Sequence, residues 1–320
     1  MKRIAIVGGE THIHEVTRLA GQHLTIVGAV VRESQKAKAA EDFKCPLFDS
    51  EAALYEQAKP DVVAVANQND LKGACVLRAL RAGCDVVADK PLTISMDEQR
   101  EIEAFLRAHP ERRLLVLLTL RGQGMWAEVR NQVRDGTIGR PAFCHVRMAV
   151  QLMRELRPDW FLDVNRSGGL FLDLLIHGID QVEWALDSKI VAMTATMGNL
   201  GYPEDVNLRD HAAVYCELAS GATAIIEGQR MLPEPAGADY RMLVAGTQGY
   251  LDLDFGESTL HVTDREAKRR AITEFPETQS VLADWLAGGD LVDQESSLRA
   301  NRLSILATQS AEEQRRIVLD

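Results

Sequence analysis

The stretch DVVAVANQNDLKGACVLRALRAGCDVVADKPLT, running from Asp61 to Thr93, decides the fold. It opens on an almost continuous apolar run, Asp61–Ala66, which is the pattern of a strand buried on both faces. Leu71–Ala82 reads as a helix. A second apolar run, Asp85–Ala88, follows directly. Two buried strands joined by a helix make a parallel crossover unit, because a tight hairpin cannot join parallel strands. Working outward, the same alternation recurs. Arg3–Val7, Leu24–Val31 and Leu114–Leu118 read as strands, and Thr11–Gln22, Glu33–Asp42 and Met96–Ala108 as helices. A doubly wound parallel sheet with helices on both faces is expected over residues 1–120.

After Thr119 the pattern changes. A helix over Trp126–Asp135 leads into Pro141–Gln151, the first of several longer strands. Ala192–Gly198, Ala212–Leu218, Ala222–Gln229, Tyr240–Ala245, Gly249–Leu253 and Thr259–Thr263 continue the series. Ser220-Gly221 and Thr247-Gln248-Gly249 mark turns between them. A mostly antiparallel α+β domain over residues 121–320 is expected. A single long helix, Gly169–Leu186, interrupts its strands, and a helix over Ser296–Glu313 ends it.

Composition narrows the function. With 46% hydrophobic and 26% charged residues the 320-residue chain is globular. A net charge of −11 and the absence of a basic tract argue against nucleic-acid and anionic-membrane partners. No apolar stretch is long enough to span a bilayer, and the N-terminal apolar run is too short for a signal peptide. Cytoplasmic residence is expected. The five cysteines are scattered without a CxxC, so neither zinc nor a disulfide framework is expected.

The chemistry-bearing residues cluster in three places. After the first strand, Gly8-Gly9-Glu10-Thr11-His12-Ile13 stands where a dinucleotide fingerprint would sit. Gly8 meets the need for a tight turn, while Glu10 and Ile13 take the places of the other two glycines. Arg32 ends the second strand, where it could meet a 2′-phosphate with Ser34 and Lys36 near it, which inclines the reading slightly to NADP over NAD. Asn67 and Asn69 follow the third strand at the carboxyl edge.

The second cluster is Asp89-Lys90-Pro91, at the end of the fourth strand. A lysine there can hydrogen-bond a substrate oxygen. The third is RSGGLFLDLLIHGIDQVEWAL, Arg166 to Leu186. Asp173, His177 and Asp180 are spaced i, i+4, i+7, which on a regular α-helix places them on one narrow stripe of an otherwise apolar surface. Asp173 can orient the His177 imidazole, leaving its other nitrogen for substrate. A polar stripe facing solvent or a domain interface, or metal binding with no third ligand in evidence, are the other readings of that spacing.

These segments resemble the Gfo/Idh/MocA family, the glucose–fructose oxidoreductase and inositol dehydrogenase group. ADKPLT resembles its Glu-Lys-Pro motif with Asp89 for glutamate, and DGTIGRPAFCHVR resembles the entry strand of its second domain. SGGLFLDLLIHGID resembles its Gly-Gly…Asp-x3-His-x2-Asp signature, and VAGTQGYLDLD a later strand turn. The resemblance implies a Rossmann first domain that binds NAD or NADP through Gly8–His12, Arg32, Ser34, Asn67, Asn69 and Asp89–Pro91. It implies a second domain whose open sheet serves homodimer or homotetramer contacts. It further implies that Lys90, Asp173 and His177 act on a sugar, cyclitol or related polyol. The segments around Lys90 and His177 are thus read as two halves of one active site. Trp160 and Asn165 are candidates to line the sugar pocket, with packing as the other role. The chain departs from the family where Asn67-Gln68-Asn69 replaces Thr-Pro-Asn, where Lys72 replaces a histidine, and where Leu175 replaces a glycine. The expected activity is hydride transfer between nicotinamide and a carbinol carbon. The rivals are a non-redox nucleotide- or sugar-binding relative and a glycoside-cleaving enzyme that oxidises its substrate only transiently.

Overall fold

The computed structural model describes residues 1–9, 13–233 and 236–319. The chain forms two compact units. The first is Met1–Leu118 with Ser280–Arg302, and the second is Thr119–Gln279 with Leu303–Asp320. No single cut in the sequence therefore separates them, since a segment near the C-terminus returns to the first unit.

The first unit runs β1 (Lys2–Val7), α1 (His14–Thr17), β2 (Leu24–Val30), α2 (Lys36–Phe43), α3 (Glu51–Ala58), β3 (Val62–Val65), α4 (Asn69–Arg81), β4 (Asp85–Ala88), α5 (Met96–Ala108) and β5 (Leu114–Val116). Among the described residues its sheet has five strands in the order β2-β1-β3-β4-β5, all parallel. The doubly wound Rossmann sheet expected from the alternation is present. β3 is buried at every residue, as a central strand covered on both faces must be. The order reverses between β1 and β3, and ligands bind in such sheets at the carboxyl ends beside that reversal.

The helix expected over Thr11–Gln22 is reduced, in its described part, to His14–Thr17. After Thr17 the bonds tighten to three-residue turns, and Gly21 adopts φ +81°, which ends helical geometry. Helix α3 went unread because only Leu54 and Ala58 of it are buried, too narrow a stripe to mark a period.

The second unit runs α6 (Gly124–Arg134), β6 (Pro141–Ala149), α7 (Val164–Ser167), a π-helical turn (Phe171–Leu175), α8 (Ile176–Leu186), β7 (Ile190–Gly198), β8 (His211–Leu218), β9 (Thr223–Gln229), β10 (Asp239–Gly246), β11 (Gly249–Asp254), β12 (Thr259–Thr263) and β13 (Arg269–Ile272). Helices α9 (Val281–Leu286) and α10 (Gln294–Glu313) follow, and β14 (Ile317–Val318) closes the chain. Among the described residues the sheet has nine strands, ordered β13-β12-β11-β10-β6-β9-β8-β7-β14. It is antiparallel except where β6 meets β9. Burial alternates along β8 and β9, so one face is core and the other half-exposed. Gly178 of α8 permits close helix–sheet approach, since a Cβ there would stand 2.7 Å from Ile226.

The single helix expected over Gly169–Leu186 is instead a π turn followed by α8. The wider turn changes the angular advance per residue between Asp173 and His177. Among the described residues, no helix is long and apolar enough to cross a membrane, and no group of three or more His, Cys, Asp or Glu side chains could hold a metal ion.

Candidate active site

The candidate residues fall in both units, and each unit builds its part by different means. In the first, Gly8 leaves β1 with φ +84°, and its amide donates to Val30 at 2.8 Å. A Cβ at Gly8 would lie 2.5 Å from the Asn67 backbone, so the ends of β1 and β3 can approach only over a glycine. Gly9 follows, and a Cβ added there would stand 3.5 Å from the Phe43 ring, an ordinary contact. Glu10, Thr11 and His12 lie outside the described residues.

Asn67 donates through Nδ2 to Cys75 Sγ at 3.0 Å, while its Oδ1 is buried and has no hydrogen-bond partner among the described residues. An orphaned acceptor beside a glycine cradle, at the sheet's reversal point, fits a dinucleotide. Arg32 is exposed at the start of a short 3-10 turn that contains Ser34. Lys36 is committed elsewhere: it pairs with Glu33 at 2.9 Å and Asp49 at 3.3 Å, and those carboxylates, Glu33 first, raise its pKa.

Asp89, Lys90 and Pro91 are all buried at the carboxyl end of β4, and the Lys90–Pro91 peptide is cis. The turn is gripped from two directions. From α4, the Lys72 ammonium donates to the main-chain oxygens of Asp89 and Lys90. From α10, Asn301 accepts from the Leu92 amide at 2.8 Å and donates to Thr93 O and Gln99 Oε1, each at 3.0 Å. The same helix covers the sheet edge, where Gln294 and Ser297 accept the outer amides of Leu114 and Val116. Sequence reading did not assign Lys72 or Asn301 to the site. For Lys72, the only signal was its place where the family has a histidine.

In the second unit, Gly168 and Gly169, both at positive φ, carry the chain from α7 into the π turn. Asp173 on that turn is half-buried and pairs with the buried Arg230 guanidinium at the end of β9. Burial, reinforced by the nearby Arg157 charge, pulls Arg230 down to about 9, so it meets Asp173 as a cation at neutral pH. Arg230 and Arg157 both lie over the Phe161 ring, at 4.9 and 4.3 Å from its centre. Asp180, fully inside, is forked by Arg121: Nε to Oδ2 at 3.0 Å and Nη2 to Oδ1 at 2.6 Å. It anchors the helix, in keeping with a supporting role.

His177, half-buried, stands between these two clamped acids on the chain. Leu175 has room because β9 carries Gly228 opposite it, where a Cβ would meet the Leu175 side chain at 2.6 Å. Trp160 is buried in a cluster with Leu152, Phe161, Leu162 and Leu208, which is a packing environment. Asn165 is exposed, and its side-chain amide donates to Asp163 Oδ1 at 3.1 Å.

A Rossmann unit joined to a nine-stranded sheet unit that carries a buried acid–histidine helix defines a nucleotide-dependent oxidoreductase class. The comparisons agree. Residues 2–116 match the oxidoreductase family model with an NAD-binding Rossmann fold, and residues 126–252 match the GFO/IDH/MocA C-terminal domain. The chain belongs to the Gfo/Idh/MocA family of oxidoreductases. It is 26% identical over 272 residues to scyllo-inositol 2-dehydrogenase (NAD(+)) of Bacillus subtilis, covering 83% of this chain and 75% of that one. It is 29% identical to inositol 2-dehydrogenase of Rhizobium meliloti, over 62% of this chain and 58% of that one. In fold it is similar to an oxidoreductase from Agrobacterium radiobacter solved with NAD+, L-tartaric acid and magnesium: TM-score 0.85, 17% identity, 99% of this chain and 98% of that one.

Proposed function

We propose that the protein transfers a hydride between a nicotinamide dinucleotide and a carbinol carbon of a cyclitol, sugar or related polyol. One observation carries the assignment of the base. Asp173 and Asp180 are both held by guanidinium groups. A carboxylate bound to arginine is a poor proton acceptor, because protonation would sacrifice the ion pair. Of Asp173, His177 and Asp180, His177 is the residue type suited to take a proton near neutral pH.

The nicotinamide, when bound, exchanges the hydride with the substrate carbon. His177 takes the hydroxyl proton as the carbinol becomes a carbonyl, and returns it in the reverse direction. Asp173, fixed by Arg230, orients the imidazole. Lys90 donates a hydrogen bond to the same oxygen and offsets the negative charge that develops there. The dinucleotide is held by Gly8, Gly9 and Asn67 at the ends of β1 and β3, with Asn69 and the Asp89–Pro91 turn beside them. Exposed Arg32 and Ser34 favour the 2′-phosphorylated form. The half-exposed face of the nine-stranded sheet supports assembly as a homodimer or homotetramer.

The test is turnover of a panel of inositols, aldoses and their glycosides with NAD+ and with NADP+, followed by nicotinamide absorbance. Oxidation of at least one cyclitol or sugar is expected, with tighter binding of NADPH than NADH. Failure to bind either cofactor would overturn the reading in favour of a non-redox binding protein.

A further inference from the structure

Lys72 sits in the first turn of α4 and is 0% exposed. Its Nζ donates to Asn69 Oδ1 at 3.2 Å, Asp89 O at 3.1 Å and Lys90 O at 3.3 Å. An ammonium carries three protons and no lone pair, whereas a neutral amine would turn its lone pair on one of these oxygens. The three acceptors therefore call for the charged form. A cation in the first turn of a helix is opposed by the helix dipole, and a buried cation is costly unless fully hydrogen-bonded. Helix stability does not account for this residue.

Its partners do. The carbonyls of Asp89 and Lys90 belong to the two peptide units that flank the Lys90 Cα. Holding both planes fixes the direction in which the Lys90 side chain leaves the strand. The third partner, Asn69, is the first residue of α4, so the same ammonium is also held at the start of its own helix. We propose that Lys72 is a positioning residue, a buried ammonium clamp that sets the Lys90 side chain for catalysis. This rests on the reading of Lys90 as the group that hydrogen-bonds the substrate oxygen.

The test compares the wild-type holoprotein with K72M, which removes every donor, and K72Q, which keeps an amide donor. K72M should lower kcat by about a hundredfold, the scale of a misplaced catalytic group, while NADH binding is unchanged. K72Q should recover part of that loss. Deuterium exchange of the amides in residues 89–93 should be faster in K72M than in wild type, with the rest of the sheet unaffected. Wild-type kcat in K72M would overturn the clamp, as would a loss expressed wholly in NADH affinity. The exchange arm needs no turnover. If wild type oxidises no substrate, the proposed function fails; faster exchange at residues 89–93 then still supports the clamp, and unchanged exchange overturns it. Should K72M not fold, K72Q carries the same comparison.

Discussion

The Asp89-Lys90-Pro91 turn and the Asp173-to-Asp180 helix are both buried and polar, yet they are stabilised by opposite means. The turn is gripped through its main chain, by Lys72 on two carbonyls and by Asn301 on one amide and one carbonyl. The helix is held through its side chains, each acid facing an arginine from a distant element. The difference follows from what each must present. Lys90 is proposed to hydrogen-bond the substrate oxygen, and the grips of Lys72 and Asn301 on its turn act through the backbone. Asp173 and Asp180 are carried into the interior with a guanidinium counter-charge each, which offsets the cost of burying a carboxylate.

The largest effect should come from the residue that the helix isolates. His177→Ala is expected to lower kcat/KM by about 10²–10⁴-fold, with NADH affinity by fluorescence titration unchanged. A wild-type rate on a verified substrate would remove His177 from the mechanism. Next is the side-chain plan itself. Arg230→Met leaves the half-buried Asp173 carboxylate without the Arg230 guanidinium, which should cost about 3 kcal/mol in urea unfolding. Adding Asp173→Leu should restore much of that stability but not the activity. If the single variant were as stable as wild type, the helix would not depend on charge pairing.

The main-chain plan should respond more mildly. Asn301→Leu removes the partner of the Leu92 amide and should cost about 1–3 kcal/mol, read by the same unfolding curve. A loss as large as that of Arg230→Met would erase the contrast between the two regions. The smallest effect is expected at Asn165, whose amide serves only a local turn among the described contacts. Asn165→Ala should change stability by less than about 0.5 kcal/mol. A clear rise in KM for the sugar without that stability loss would give Asn165 the pocket role its sequence position suggested.

Much of the fold was legible because it depends on short-range pattern. The apolar runs at Asp61–Ala66 and Asp85–Ala88 and the amphipathic Met96–Ala108 need only their own residues to be recognised. The π turn at Phe171–Leu175 was not legible, because apolar residues surround it in either helical form. Helix α3 was missed for the opposite reason, having too few apolar residues to show a period. At the site, Lys90, Asp173 and His177 were visible as residue types out of place in apolar surroundings. Their partners were not. Arg230 stands 57 positions from Asp173, Arg121 59 from Asp180, and Asn301 209 from Leu92.

By itself, the sequence determined the family, the two sheet types and the out-of-place polar residues Lys90, Asp173 and His177, since burial pattern and residue chemistry are local properties. Only the tertiary structure decided which partner meets each of those residues. It gave Asp173 to Arg230, Asp180 to Arg121 and both flanking carbonyls of Lys90 to Lys72. It also returned Ser280–Arg302 to the first unit. Those choices depend on which distant segments the packed sheets bring within hydrogen-bond reach, and no spacing along the chain records them.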